Sequence, residues 1–405
     1  MLKKTRNIQI KNKYTKYKKQ LKYKLKGGTF LGEGSYGCVV KPAIECPNSK
    51  TLTSKKQKKN NEQLVSKILI APTDDDEEEI TISNKLKKID PLQKHFITFE
   101  DACYIKKIPN NRSNTASVEY NNDSHISYDI LDDKKYDDDY CPIDLRLNPI
   151  NLIMPYGGYD LISIIDNKIN KPHFILTRNM LINNFKVCLK NLFIGLLKMH
   201  NNRIVNRDIK NENIMINYNE TTKKIDLRFI DFGLSNILTQ EYCKHMSNII
   251  LNGSEGYISP ELFITYYIYD GEKYDNILKI LNKHIKKNLI SLKQELKINN
   301  NFNILFRELY LKINSEFEDK NIGQDTHILK KFFGTDKNKF NGYLQKGDIY
   351  SLGITICNFI NEYKHIFKSN KLHKLHLLNL LNNMTQIIPE KRYNIIQCLK
   401  HPYFS

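Results

Sequence analysis

The hydrophobic period of this chain changes partway along it, and that change restricts the fold more than any other feature. Near the start the apolar residues come in short blocks. Gly27 to Lys41 reads as strand, glycine turn, strand, and Leu64 to Ile70 is an apolar run of strand length. Further on, Leu181, Phe185, Cys188, Leu189, Leu192, Phe193, Leu196 and Leu197 recur every three or four residues. That spacing predicts an amphipathic helix over 178–200. Apolar residues dominate again at 275–293 and 371–384, also with helical character. Polar stretches at 43–62 and 109–141 read as loops. A strand-rich start and a helix-rich remainder predict a segregated α+β architecture with two lobes.

The 405 residues, 40% hydrophobic and 26% charged, are enough to bury a sizeable core. No apolar stretch approaches the ~20 residues that span a bilayer. The first residues lead into lysines rather than an apolar segment, so neither membrane spanning nor secretion is expected. Eight cysteines are scattered without a C-x-x-C pair, which predicts free thiols in a reducing compartment and a cytoplasmic protein. The net charge is +19, and residues 1–26 carry 11 basic residues and no acid. Interleaved Tyr14, Tyr17 and Tyr23 would allow this tail to contact polyanions or an anionic surface. The alternative is a solvated, disordered arm, because the chain has 54 Lys and only nine Arg, a bias of composition rather than a set of bidentate phosphate forks.

Three local patterns carry chemistry. Gly32-Glu33-Gly34-Ser35-Tyr36-Gly37-Cys38-Val39 matches G-x-G-x-x-G-x-V, where glycines let backbone N–H groups approach phosphate oxygens. A dinucleotide fold would continue into a helix; Cys38-Val39-Val40 continues as strand, giving a glycine flap between two strands. Lys67 sits inside the apolar strand Leu64-Val65-Ser66-Lys67-Ile68, where it needs an anion unless it reaches water. Asn206-Arg207-Asp208-Ile209-Lys210-Asn211-Glu212-Asn213 follows the long helix, and Asp231-Phe232-Gly233 begins 18 residues after Asn213. A carboxylate that orients a hydroxyl, with an amide oxygen and a second carboxylate, makes a hard-oxygen environment of the kind Mg²⁺ prefers.

With these residues in this order, the chain resembles the eukaryotic-type protein kinase family, and most closely its serine/threonine members, from about Gly28 to Phe404. Ser259-Pro260-Glu261 stands where A-P-E is expected, Asp348-Ile349-Tyr350-Ser351-Leu352-Gly353 resembles D-x-W-S-x-G, and Pro389-Glu390-Lys391-Arg392 resembles the segment whose arginine meets the S-P-E glutamate. His401-Pro402-Tyr403-Phe404 resembles the domain terminus. The resemblance implies a bilobal kinase-like fold: a basic tail over 1–26, a β-rich N-lobe with hinge over 27–156, and a helical C-lobe over 157–405. The 87 residues from Glu261 to Asp348 imply a mostly helical insertion over roughly 264–345.

The resemblance also implies roles. Leu31, Gly32, Glu33, Gly34, Ser35, Tyr36, Gly37, Cys38 and Val39 would cover ATP, and Lys67 would bind its α/β-phosphates. Lys67 would pair with a carboxylate of the acid run that opens the next helix, Glu79 by its offsets or else Glu78. Val39, Val65 and Met215 would sandwich the adenine, and the hinge Met154-Pro155-Tyr156-Gly157 would bond it through Met154 and Tyr156. Asp208 would orient the substrate hydroxyl and Lys210 would steady the γ-phosphate, with Ser254 fixing both. Asn213 and Asp231 would hold Mg²⁺. Arg207 would receive a phosphate on Ser235, Thr239 or Ser247.

Departures from the family pattern are Asn206 for the expected His, Val65 for Ala and Tyr350 for Trp. The implied activity is transfer of the γ-phosphate of ATP to serine or threonine of protein substrates. The alternative, resting on Asn206, is a weak pseudokinase that uses the fold as a scaffold. The Lys/Asn/Ile bias and the absence of Trp suit a large DNA virus or an AT-rich protist, with a host-cell or virion location in the viral case.

Overall fold

The computed structural model describes residues 23–25, 29–33, 37–44, 46, 63–69, 74–105, 116–118, 126–130, 148–167, 169–238, 253–254, 256–269, 271–280, 302–318, 337–363 and 371–405. The chain divides into two compact units. One comprises 1–88 and 97–156, the other 89–96 and 157–405.

The first unit contains β1 (Tyr23–Leu25), β2 (Thr29–Glu33), β3 (Gly37–Lys41), β4 (Leu64–Leu69), most of α1 (Asp74–Ile89), β5 (Asp101–Tyr104), β6 (Ala116–Val118), β7 (Ile126–Ile130) and β8 (Ile150–Pro155). Its main sheet has the order β2-β3-β4-β8-β5 with antiparallel neighbours. Side chains alternate across the pleat, so cross-strand register assigns the faces. Val39 pairs with Lys67, Lys67 with Leu152, and Val65 with Met154, which puts all five on one face. Leu69, Ile150 and Leu152 pack there with Phe99, and Ile80 of α1 covers them together with Met154. The opposite face carries Cys38, Ser66, Ile68, Asn151 and Ile153.

Two expectations change in this unit. Tyr23–Leu25, read as part of a disordered arm, pair with Ile130–Tyr128, and β6 completes a second three-stranded sheet inside the 109–141 loop. The rest of 1–26 lies outside the described residues. The expectation of eight free thiols fails as well: Cys46 and Cys103 form a disulfide across 57 residues, and Cys38 is also disulfide-bonded. Sequence spacing could not reveal a pair that only the sheet brings together.

The second unit contains β9 (Tyr159–Asp160), α2 (Leu161–Asp166), α3 (Pro172–Asn183), α4 (Phe185–Asn201), β10 (Ile204–Val205), β11 (Ile214–Asn219), β12 (Lys224–Phe229), β13 (Asn236–Ile237), α5 (Pro260–Tyr269), α6 (Phe302–Glu318), α7 (Lys337–Glu362), α8 (Lys371–Met384) and α9 (Ile395–Leu399). The helix expected over 178–200 is two helices meeting at 82°. The break falls at Asn184, whose side-chain amide donates to the Met180 carbonyl at 2.9 Å and so competes with the backbone ladder. Beyond it α4 buries Phe185, Cys188, Leu189, Leu192, Phe193, Leu196 and Met199. Among the described residues no single helix is long and apolar enough to cross a membrane.

The described parts of the 264–345 insertion are helical, and they are tied down. Lys312 of α6 and Tyr343 of α7 both donate to Glu390 Oε1, at 3.0 and 2.5 Å. Arg392 and Glu261 form a fully buried bidentate pair at 2.7 and 2.9 Å, with Tyr350, the Trp replacement, stacked on the guanidinium at 5.1 Å.

Residues 89–96, assigned by sequence to the first lobe, pack in the second unit. Asp90 Oδ2 accepts the His95 N–H at 2.7 Å, and the Phe229 N–H donates to the His95 carbonyl at 2.9 Å. Gly195 of α4 makes room for this segment, because a Cβ there would come within 2.9 Å of His95 Cβ.

Candidate functional site

In the first unit the apolar environment of β4 leaves the Lys67 ammonium little water, and α1 supplies the counter-charge. Lys67 Nζ donates to Glu79 Oε1 at 2.8 Å, with the side chains 19% and 8% exposed. Of the two carboxylates that the sequence leaves open, Glu79 is the one brought to this lysine. Val39, Val65 and Met154 share the Lys67 face of the sheet. Gly37 begins β3 where a Cβ would lie 1.9 Å from the Ile68 carbonyl oxygen, so only glycine permits the strand pairing there.

Leu31, 44% exposed, and Gly32 and Glu33 lie on β2, whereas Gly34, Ser35 and Tyr36 lie outside the described residues. Cys38 requires a correction. Its side chain is buried on the face opposite Lys67 and disulfide-bonded, so only its backbone is available to a ligand on the Lys67 face. Tyr156 needs one too. Its N–H already donates to the Gln63 carbonyl at 2.6 Å, and Lys41 lies 3.8 Å from its ring centroid.

In the second unit the loop after β10 folds around Asp348 of α7. The two Asp348 oxygens accept the Asn206 and Arg207 N–H groups at 2.9 and 2.8 Å, and His200 Nε2 lies 3.0 Å from Oδ2. These bonds hold Arg207 in left-handed backbone at φ 69°. The Asn206 side chain, 1% exposed, accepts the Asp208 N–H at 3.0 Å.

Asp208 then meets three partners. Ser254 Oγ donates to Oδ1 at 2.5 Å, Lys210 Nζ lies 2.9 Å from Oδ2, and Lys210 also donates to Ser254 Oγ at 2.8 Å. Asn213 uses its amide hydrogens on the Asp208 carbonyl and Oδ2, each at 2.9 Å, which leaves its Oδ1 as the atom free to face a cation. Burial pushes the Asp208 carboxyl above the ordinary aspartate range, and the charge of Asp231 adds to that, against the opposing pull of Lys210 and Ser254. Asp231 itself is exposed and left-handed at φ 59°, and the neighbouring Phe232 is buried edge-on against Phe96 at 6.1 Å. Met215 lies half-buried on β11.

The donor set fits a hard cation: one amide oxygen and one carboxylate, both oxygen ligands. Among the described residues no group of three or more His, Cys, Asp or Glu side chains could enclose a metal. Mg²⁺ commonly takes one or two protein oxygens and leaves the remainder of its shell to water and phosphate.

Ser235, named as a phosphate acceptor, is 2% exposed and donates to the Asn206 carbonyl at 3.1 Å, so it is an internal brace of the loop. Thr239 and Ser247 lie outside the described residues. The sequence reading missed what Asn206 does, although asparagine side chains commonly bond the backbone two residues further on. It also missed Phe96, for which no local signal exists.

A family model described as the protein kinase domain matches residues 151–305. That span includes Asp208, Lys210, Asn213, Asp231 and Ser254 but neither Lys67 nor Arg392. Calcium-dependent protein kinase 4 of Plasmodium falciparum is 41% identical over 76 residues, 18% of this chain and 13% of that protein. The serine/threonine-protein kinase CAK1 of Saccharomyces cerevisiae is 36% identical over 81 residues, 19% of this chain and 22% of its own length. The serine/threonine-protein kinase PLK4 of Aedes aegypti is 38% identical over 74 residues, 18% of this chain and 9% of its own. The chain thus matches less than a quarter of the length of each of these relatives. Together with a strand-rich unit, a helical unit and the residue network described above, these matches show that the chain carries a protein kinase domain, matched over 151–305, of the eukaryotic type.

Proposed function

We propose that the chain is an active protein kinase that transfers the γ-phosphate of ATP, with Mg²⁺, to serine or threonine hydroxyls of protein substrates. The observation that carries this reading is the closed network of Asp208, Lys210, Ser254 and Asn213. Asp208, its carboxylate form favoured by Lys210 against the effect of burial, accepts the proton of an incoming hydroxyl and orients its oxygen. Lys210 keeps a positive charge where charge gathers on the transferring group, and Ser254 fixes the separation of the two. Lys67, held by Glu79, offers its ammonium to the phosphates on the face that carries Val39, Val65 and Met154. Asn213 Oδ1 and Asp231 would hold Mg²⁺, which supplies charge neutralisation on the phosphates when bound. A lysine two residues after the aspartate, together with Ser254, supports serine/threonine over tyrosine as acceptor.

The scaffold alternative rests on Asn206, and the bond from the Asp208 N–H to its side chain argues against it: the substitution keeps the loop ordered. Contact of the basic tail with polyanions stays a separate proposal, tested by salt-dependent binding with and without residues 1–26. For the main proposal, radiolabelled γ-phosphate transfer to a generic basic protein is measured with Asp208→Asn as control, followed by phosphoamino-acid analysis. Label on serine and threonine that vanishes in the variant is expected. Equal inertness of both chains, with ATP bound, would leave the scaffold.

A further inference from the structure

The outer face of the main sheet is covered by its own chain. After β3, Ala43, Ile44 and Cys46 lie against the face opposite Lys67. The Ala43 N–H donates to the Leu64 carbonyl at 3.1 Å, the Ile44 N–H to Ser66 Oγ at 2.7 Å, and Asn151 Nδ2 to the Ile44 carbonyl at 2.8 Å. Ala43 and Cys46 form an apolar cluster with Ile153, flanked by Leu64 and Cys103. Ser66, Asn151 and Ile153 are all fully buried. Two of them are polar, and Ser66 is the immediate neighbour of Lys67, so the strand that carries the lysine relies on this strap to satisfy its outward groups. One covalent bond pins the far end of the strap: Cys46 to Cys103 of β5.

The described free thiols are placed differently. Cys188, Cys357 and Cys398 are all buried in the second unit, and burial pushes Cys188 and Cys398 up to about 12 and Cys357 higher still. Such thiols hold almost no thiolate and are inert to exchange. Among the described cysteines, redox chemistry is thereby directed to the strand-rich unit, where Cys103 is only partly buried.

We infer that the Cys46–Cys103 bridge is a dithiol-reactive modification site whose redox state sets how firmly β4 presents Lys67. The thiolate of a dithiol reductant attacks the sulfur of the partly buried Cys103, forming a mixed disulfide and releasing Cys46 as the leaving thiolate. The second thiol of the reductant displaces Cys103 and closes its own disulfide. Two electrons and two protons move from the reductant to the two cysteines, and an oxidised dithiol reverses the exchange. Reduction removes the pin, loosens Ala43 and Ile44, and weakens the bonds of Ser66 and Asn151 to Ile44. This inference goes beyond the phosphotransfer reading; only its effect on nucleotide binding rests on that reading.

The test uses the full chain, purified without reductant and with free thiols alkylated. Peptide mapping is expected to give a Cys46–Cys103 linked peptide that disappears with dithiothreitol. Thermal unfolding and titration with a fluorescent ATP analogue then compare the oxidised chain, the reduced chain and Cys46→Ser/Cys103→Ser. Reduction is expected to lower the unfolding midpoint by several degrees and to weaken analogue binding about tenfold, with the double variant at the reduced values before any reductant is added. No linked peptide, even after incubation with oxidised dithiothreitol, overturns the inference. So does a double variant that keeps the oxidised chain's midpoint and affinity, which would assign the response to Cys38. Should no analogue bind in any state while the midpoint moves as stated, the bridge stands and the kinase reading falls.

Discussion

Asn206 Oδ1 accepts the backbone N–H of Asp208 at 3.0 Å, so the residue that departs most from the family pattern is bonded to the residue on which the proposed chemistry depends. The amide oxygen closes a short side-chain turn, Asp348 holds the N–H groups of Asn206 and Arg207, and Ser235 holds the Asn206 carbonyl. Asn206→Ala removes the acceptor and leaves a buried N–H unpaired, a cost of about 1–3 kcal/mol. If about half of that falls on Asp208 placement, kcat drops about two- to tenfold. KM for ATP should hold, because the Asn206 bonds described above, to Asp208, Asp348 and Ser235, serve the loop that carries Asp208. Asn206→Ser, which keeps an oxygen, should recover part of the rate. Initial-rate measurements on both variants check this; an unchanged kcat in the alanine variant would show that the bond has no bearing on the reaction.

Glu79 and Lys67 make a separable prediction within the strand-rich unit. Glu79→Gln preserves shape and removes the charge that holds the ammonium in place at 2.8 Å. Nucleotide affinity should fall about tenfold, since a charge-assisted bond contributes about 1.5–3 kcal/mol and water reaches part of this pair. Glu78→Gln, one residue earlier on the same helix, should change affinity little. Isothermal titration with an ATP analogue distinguishes the two, and equal losses would mean the helix carries a shared anionic site rather than one partner.

The strands that carry chemistry were legible because each one states its own requirement. A lysine within Leu64–Ile68 demands an anion, and an acid run followed by Ile80, Ile82 and Leu86 supplies a helix bearing one. The order of Asp208, Asn213 and Asp231 was legible for the same local reason. What the sequence concealed was long-range or competitive. Cys46 and Cys103 meet only because β5 and the strap flank the same sheet, and Tyr23–Leu25 become a strand only because Ile126–Ile130 offers an edge. Asn184 breaks a pattern whose apolar spacing runs straight through it, because periodicity registers burial and not the side-chain bond to Met180. Residues 90–96 follow α1 directly and, with Asp90, Pro91, Gln93 and Lys94, read as an ordinary short loop, so nothing in composition marks their change of unit.

Arg392 and Glu261 test the core of the helical unit. Both side chains are fully buried, and Glu261 also accepts from Ser259 at 2.8 Å while Arg392 donates to the Gln386 carbonyl. Removing one charge strands the other in a low-dielectric interior, so Glu261→Leu or Arg392→Met should each cost about 3–5 kcal/mol. Removing both as Glu261→Leu/Arg392→Met should cost much less than the sum, because no unpaired charge remains. Urea unfolding of the four chains gives the coupling directly. Additive losses would mean that the hydrogen bonds to Gln386 and Ser259, and not the ion pair, dominate the site.

Asp208 connects catalysis with stability through pH. Burial and the nearby Asp231 charge raise its folded-state pKa above that of the unfolded chain. The native state therefore binds this proton more tightly, and its stability falls as pH rises from the ordinary aspartate value to the elevated one, staying lower at neutral pH. Asp208→Asn has no such titration. It should abolish phosphotransfer yet unfold at higher denaturant than the parent at pH 7, with the advantage shrinking as acid protonates Asp208 in both states. The same shift moves the acid limb of the kcat profile above the pH at which an ordinary aspartate would lose its charge. Denaturation of both chains across the acid range, beside a pH–rate profile, measures the two effects together. A variant less stable than the parent at pH 7 would mean that Lys210 and Ser254 hold the ionised carboxylate more strongly than burial opposes it.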